Sequence, residues 1–367
     1  MPTSITRTGA TAVLAATLAL GAAACGSDDG GSGGGGDAKG AKIALLLPES
    51  KTTRYEQQDR PNFERRVKEL CASCEVIYAN AEQDPAKQQQ QAEQAITNGA
   101  KAIVISAVDV KSAASIVTRA KQSKIPVISY GRLVSDADLD YYVSIDPFKV
   151  GQQQGKALLD ALKAAGKSSP SVAMIHGSPT DSNAAPYKKG AHSILDPAGV
   201  KVVKEFDTPD WSPDKAQREM EQTITSAGKD GFDGVYVAND GMAGGAIAAL
   251  KGAGIDPASR PVTGQDAEVA GVQRILTGEQ LMTVYQPITK IAETSAELAV
   301  PLAQGKQPPD LAKERVNNGM KDVPSVLLDT IAITKDNIDV LIKDGFLKPD
   351  QICTSKYAKA CADAGIQ

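Results

Sequence analysis

The chain has 367 residues with 40 basic and 44 acidic side chains, and a net charge of −4 argues against a dedicated nucleic-acid binder. Hydrophobic residues make up 42% and aromatics 4%, which fits sizeable globular cores and excludes a disordered or membrane-embedded chain. At roughly 150 residues per domain the length predicts two or three domains.

In chain order the first feature is residues 8–24, apolar or small throughout, preceded by Arg7 and ending at Cys25. The stretch has the length of a signal h-region with its small-residue cleavage zone and is short for a spanning helix. It resembles a bacterial lipoprotein signal over residues 1–25 in which Cys25 is lipidated, with Ala22 where Leu is usual; an ordinary signal with an incidental Cys is the alternative. Residues 26–40 read GSDDGGSGGGGDAKG, with eight Gly. Such a linker is flexible and spans roughly 20–25 Å on average, as a tether needs. The expectation is an extracytoplasmic protein, lipid-anchored to the outer face of the cytoplasmic membrane.

The other four cysteines fall in two local pairs, Cys71 with Cys74 and Cys353 with Cys361. Outside the cytoplasm an even set reads as two disulfides. A redox or zinc half-site at C-A-S-C is the competing reading.

From residue 42 on, short apolar β-branched runs alternate with helical patterns. Strands are predicted at Lys42–Leu47, Val76–Ala79, Ala102–Ser106, Pro126–Tyr130, Val172–His176, Val202–Phe206, Gly234–Ala238 and Pro261–Gln265. Helices are predicted between them, among them Pro85–Thr97, Val110–Gln122 and Pro213–Ala227. This alternation means βαβ units and parallel sheets. An internal echo, EQAITNGAKAIVIS from Glu93 and EQTITSAGKDGFDGVYVAN from Glu221, points to two α/β lobes of like topology.

Ligands of open parallel sheets sit beyond the carboxyl ends of the strands. Those ends carry Arg54, Tyr55, Arg132, Asn183, Trp211, Asn239, Asp266 and Gln286. Amides, Arg and carboxylate mixed with flat rings suit a polyhydroxylated ligand. Hydroxyls donate and accept at once, and sugar C–H faces pack on rings. Asp210, Ser212 and Asp214 read instead as caps of the following helix. Asn239-Asp240 also fits turn or cap chemistry.

Cofactor and catalytic motifs are missing. A P-loop before Gly166-Lys167-Ser168 fails because Ala161 stands at its first glycine. The one G-x-S-x-G, Gly30–Gly34, lies inside the linker. With two His, a metal cluster or His-based triad is not expected; His176 ends a strand near the presumed cleft and His192 reads as a helix-surface position. Neither a cofactor, a metal nor an enzymatic activity is expected.

Seven segments together resemble the D-xylose-binding and multiple-sugar-binding family of bacterial ABC sugar importers: AIVIS (102–106), VISYGR (127–132), GSPTDSNA (177–184), YVAND (236–240), GQDAEVAGVQRI (264–275), LMTVYQPI (281–288) and NNGMKDVPSVLL (317–328). The match runs in order over residues 42–347. It implies a type I periplasmic-binding fold, with two Rossmann-like lobes joined by three hinge segments near Val143–Asp146, Tyr285–Pro287 and Val323–Leu328. The implied boundaries are 41–144 with 287–325 for the N-terminal lobe, 145–286 with 326–350 for the C-terminal lobe, and a tail at 351–367. The resemblance makes Arg54, Arg132, Asn183, Asn239 and Asp266 sugar hydrogen-bonders, Asp181 a further one, and Tyr55 and Trp211 stacking platforms. Two departures stand out. The family's Y-D-R is Tyr130-Gly131-Arg132 here, and its Y-K-P-I is Tyr285-Gln286-Pro287-Ile288. The implied protein is a monomeric solute receptor that captures a monosaccharide and delivers it to an ABC permease. The alternative is a sensory module presenting the sugar to a membrane receptor.

Overall fold

The computed structural model describes Met1 and residues 40–366, so the signal, Cys25 and nearly all of the linker lie outside the described residues. Contacts separate a unit Met1–Asp37 from a unit Ala38–Gln367, and the description concerns the second.

The first set of strands is β1 (Lys42–Leu47), β2 (Glu75–Asn80), β3 (Ala100–Ile105), β4 (Val127–Tyr130) and β5 (Tyr141–Ile145). They alternate with α1 (Arg60–Leu70), α2 (Pro85–Thr97) and α3 (Ala114–Gln122). Then α4 (Pro147–Ala164) opens a second set: β6 (Ser171–His176), α5 (Ala184–Leu195), β7 (Lys201–Asp207), α6 (Pro213–Ala227), β8 (Gly234–Val237), α7 (Asp240–Gly252), α8 (Val269–Thr277) and β9 (Thr283–Tyr285). The chain returns to the first set through α9 (Ile288–Ala303), which packs on α1 and β3, and through β10 (Glu314–Asn317) and β11 (Asp322–Leu328). It ends with β12 (Ile331–Ile333), α10 (Asp339–Lys343), α11 (Pro349–Ile352) and α12 (Ala358–Asp363).

The first sheet has the order β10-β11-β5-β4-β3-β1-β2 and is parallel except for β10. The second has the order β7-β6-β8, all parallel, and β9 pairs with β12 in an antiparallel ribbon. Sheets covered by helices on both faces need strands apolar on both sides. KIALLL and AKAIVI meet that need, with five of six residues buried in each. Helix starts are equally local. Asp84 accepts from Ala86 N and Lys87 N ahead of Pro85, and Asp146 does the same for Phe148 N and Lys149 N ahead of Pro147.

The order β2-β1-β3 in one lobe matches β7-β6-β8 in the other, and the two echoed segments fall on α2–β3 and α6–β8. The chain is thus a doubled α/β unit of the type I periplasmic-binding kind.

Three expectations change. Pro261–Gln265 forms a single bridge, Val235 to Val262, rather than a strand. The Thr263 hydroxyl accepts from Val237 N and donates to Val237 O, taking over the ladder position where the strand would continue. The helix predicted from Val110 begins at Ala114, because Asp109 accepts from Lys111 N and Ser112 N and holds a turn there. Residues 351–366 pack on the body of the protein rather than trailing away as a tail. α11 and α12 pack on α8, Cys353 is disulfide-bonded to Cys361, and Ile352, Cys361 and Ile366 join a core with Val272 and Ile275. Cys71 is likewise disulfide-bonded to Cys74.

α4 and α5 cross at contact distance, because both carry glycine at the crossing. A Cβ on Gly151 would lie 2.0 Å from Tyr187 O, and one on Gly190 would lie 2.2 Å from Phe148 O. Gly151→Ala and Gly190→Ala should each destabilise the protein by about 1–3 kcal/mol through overpacking. Gly252→Ala, with open space at its Cβ, should cost nothing. Urea midpoints compare the three.

Candidate functional site

Parallel strands deliver their carboxyl ends to one edge of each sheet, and the two edges face each other across a narrow cavity of about 40 Å³. The nine residues named from the sequence all line it. Arg54 and Tyr55 follow β1, and Arg132 follows β4. Asp181 and Asn183 follow β6, Trp211 follows β7 and Asn239 follows β8. Asp266 ends the 261–266 segment, and Gln286 follows β9.

Arg54 is the most heavily partnered group. It stands at the start of a wide helical turn, Tyr55–Asp59, which brings Asp59 back beneath it. Its Nε and Nη2 donate to the two carboxylate oxygens of Asp59 at 2.9 and 2.7 Å. Nη1 donates to Gln286 Oε1 at 3.0 Å and lies 3.8 Å from Asp266 Oδ1. Gln286 Nε2 in turn donates to Asp266 Oδ1 at 3.0 Å. A neutral amide fits between a cation and a carboxylate because it offers one acceptor and one donor. Burial opposes the charge on Arg54, but Asp59 overrides it and holds the guanidinium above its ordinary pKa. Burial also pushes the Asp266 carboxyl up, against the pull of Arg54.

Across the cleft, Arg132 Nη1 donates to Ala107 O, and its Nε lies 2.8 Å from Asp181 Oδ2. This approach is off the N–H axis, so the Nε proton has no hydrogen-bond acceptor. Gln265 Oε1, also on the cavity, is buried without a donor. Asp181 Oδ2 accepts from Trp211 Nε1 at 3.2 Å.

The two rings sit differently. Tyr55 has two guanidinium groups near its ring, Arg54 at 5.3 Å and Arg132 at 5.9 Å from the ring centre. Burial pushes its phenol up to about 12, so the hydroxyl stays protonated. Trp211 is placed by backbone in the left-handed region, with φ of +62° at Asp210 and +52° at Trp211. Its ring lies over Gly177, where a Cβ would come within 2.0 Å of Trp211 Cη2.

The lobes touch beyond the pocket. Asn183 Nδ2 donates to Gly131 O, Leu133 N to Ser182 Oγ, Val110 N to Thr180 O and Thr53 N to Glu268 Oε1.

Asn239 lines the cavity and also caps α7, accepting from Met242 N at 3.0 Å. Ser212 is the N-cap residue of α6, but its side chain makes no capping bond, and Asp210 pairs with Lys215. His176 does not line the cavity. It is buried beside Glu205 and His192.

Sequence reasoning passed over Asp59, Tyr187, Gln265 and Gly177. Gln265 had a signal, since it stands beside Asp266 at a strand end. Asp59 had none, because a five-residue spacing to Arg54 matches no regular helix face.

The sequence profile of the periplasmic binding protein domain matches residues 43–307. The D-xylose-binding periplasmic protein of Escherichia coli (strain K12) is 38% identical over 320 residues, 86% of this chain and 93% of that protein. The multiple sugar-binding periplasmic receptor of Rhizobium radiobacter is 31% identical over 327 residues, 84% of this chain and 92% of that protein. Among solved structures, an ABC transporter solute binding protein from Clostridium phytofermentans with bound β-D-glucose superposes with a TM-score of 0.76 at 29% identity. It covers 85% of this chain and 99% of its own. With the profile spanning residues 43–307 and such relatives matching along most of their length, the chain belongs to the periplasmic binding protein family, a family of solute binders rather than enzymes.

Proposed function

We propose that the protein captures one monosaccharide, xylose or a related pentose or hexose, between its lobes and delivers it to an ABC importer permease. The observation that carries this reading is the polar state of the cavity. Arg132 Nε–H pairs with Asp181 by charge but has no aligned acceptor, and Gln265 Oε1 is buried without a donor. A buried polar group without a partner costs roughly 1–3 kcal/mol. A ligand with several hydroxyls satisfies both kinds, and Tyr55 and Trp211 offer faces for its C–H surface. The relatives support the class, since two are named for xylose or multiple sugars and a solved neighbour holds glucose.

Delivery requires opening and closing. The three chain crossings between the sheets, after β5, after β9 and after β11, act as hinges in this reading. Sugar shifts the population to the closed state because Arg54 and Asp266, and Arg132 and Asp181, meet only across the cleft. Hydrogen bonds to charged groups contribute about 1.5–3 kcal/mol each. Several of them with two ring contacts leave roughly −8 to −10 kcal/mol after ordering costs, or micromolar and tighter. Lipidation at Cys25 and the Gly-rich tether would hold the receptor next to its permease. Cys25→Ala should then move the protein from the membrane to the soluble fraction; unchanged partitioning argues against the anchor.

Calorimetry against a panel of pentoses and hexoses tests the central claim. One-to-one binding of at least one sugar is expected, and no heat with any monosaccharide overturns it. Trp211→Ala should weaken that binding at least tenfold with the fold intact. Gly177→Ala should shift the emission of the chain's single Trp and weaken binding in parallel. Wild-type affinity in both variants would remove Trp211 from the site.

A further inference from the structure

The chain has two histidines, sixteen positions apart in sequence, and the fold brings both to one carboxylate. His176 closes β6 and Glu205 lies on the neighbouring edge strand β7, where the register Met174↔Glu205 and His176↔Asp207 puts the two side chains on the same face of the sheet. His192 comes down on them from α5. His176 Nε2 and His192 Nε2 lie 2.8 and 2.7 Å from the same atom, Glu205 Oε1. His192 Nδ1 lies 2.9 Å from Asp196 Oδ1, one helical turn on. Tyr236 stands against the His176 ring at 5.2 Å and closes the inner side. The outer side is open, with Glu205 31% exposed and His192 25% exposed.

We propose that His176, His192 and Glu205 form a binding site for a divalent transition-metal ion of the zinc class. The donor set, two imidazoles and one carboxylate with an open outer side, is that of a four-coordinate zinc with water in the last position. The three ligand atoms lie within 4.8 Å of one another. Ligands of one tetrahedral zinc are separated by about 3.3 Å, given metal–ligand distances near 2.0–2.1 Å. The two Nε2–Oε1 distances of 2.8 and 2.7 Å therefore open by about half an ångström, and the two imidazole nitrogens, within 4.8 Å of each other, close to about 3.3 Å. The site also has the outer partner such sites use, since Asp196 receives the second ring N–H of His192 and fixes its orientation.

The bare cluster makes a demand at Glu205 that an ion relieves. A carboxylate only accepts, so Glu205 Oε1 needs an N–H from each ring, and Asp196 needs a third. His192 must then carry both ring protons, while His176 Nδ1 is buried with no partner. A metal ion at the two Nε2 atoms replaces both N–H groups: His192 releases its Nε2 proton to water and keeps the Nδ1 proton on Asp196, and His176 moves its ring proton from Nε2 to Nδ1. Lys188 is the competing cation, with Nζ 3.4 Å from Glu205 Oε1. It is also 3.3 Å from Asp207 Oδ1, which can hold it when the ion enters. None of the three ligands lines the cavity of the proposed sugar site, so the two readings stand or fall separately.

Zinc chloride titrated into the untagged full-length protein by calorimetry tests the site. One saturable equivalent is expected, weakened at least tenfold in His192→Gln and in Glu205→Gln, both on the exposed side. Because the chain has two histidines, their ring C–H proton resonances report binding without any variant. Both sets should move together and stop at one equivalent of Zn²⁺. No saturable zinc uptake, histidine resonances that stay in place, or wild-type affinity in both variants would each overturn the proposal.

Discussion

An arginine with 8% of its surface left to solvent has to find partners for its charge inside the protein, and Arg54 finds them on three separate parts of the chain. Asp59 comes from the same turn, Gln286 from a crossing between the sheets and Asp266 from the opposite lobe. Removing one partner of a buried pair leaves an uncompensated charge, at a cost of about 3–5 kcal/mol. The relative placement of the lobes is therefore tied to the satisfaction of this one group. Arg132 with Asp181 repeats the arrangement across the cleft, but incompletely, with one donor left unpaired. Both cations are thus paired, and only the Arg132 Nε–H lacks an aligned acceptor on the cavity.

Four of the eight non-glycine residues with positive φ among the described residues stand at the same place. Asp210 and Trp211 occupy the left-handed region, and so do Asp266 and Ala267, with φ of +90° and +48°. Such conformations persist where the surroundings over-determine them. Trp211 is held by its bond to Asp181, by the edge of Tyr187 at 6.3 Å and by the space above Gly177. Asp266 N is held by Val284 O. In both cases the strained residues direct a cavity-lining side chain into the cleft, and regular structure on either side absorbs the cost.

Much of the fold was legible because parallel strands buried on both faces leave unbroken apolar runs, as in KIALLL and AKAIVI. The Asp-Pro helix starts at Asp84 and Asp146 are equally local signals. The strand ends then pointed to the cavity, because parallel topology puts them on one edge whatever the details of packing. Misreadings occurred where a side chain replaced the backbone. The Thr263 hydroxyl interrupts a ladder, Asp109 delays a helix, and Ser212 starts a helix without capping it. Partners without sequence periodicity, such as Asp59 under Arg54 and Tyr187 against Trp211, left no trace to read.

By itself the sequence determined the alternation of elements, the doubling of the α/β unit, the local cysteine pairs and the residues available at the strand ends. Those properties depend on neighbours within a few positions, or on patterns of burial that repeat along the chain. Only the tertiary structure decided which of the available groups meet. It placed Gln286 between Arg54 and Asp266, left Arg132 with a free donor, docked residues 351–366 on α8, and gathered His176, His192 and Glu205 on one sheet edge. Each of these outcomes depends on strand register or helix packing between distant segments, and the composition of neither segment reveals the distance between them.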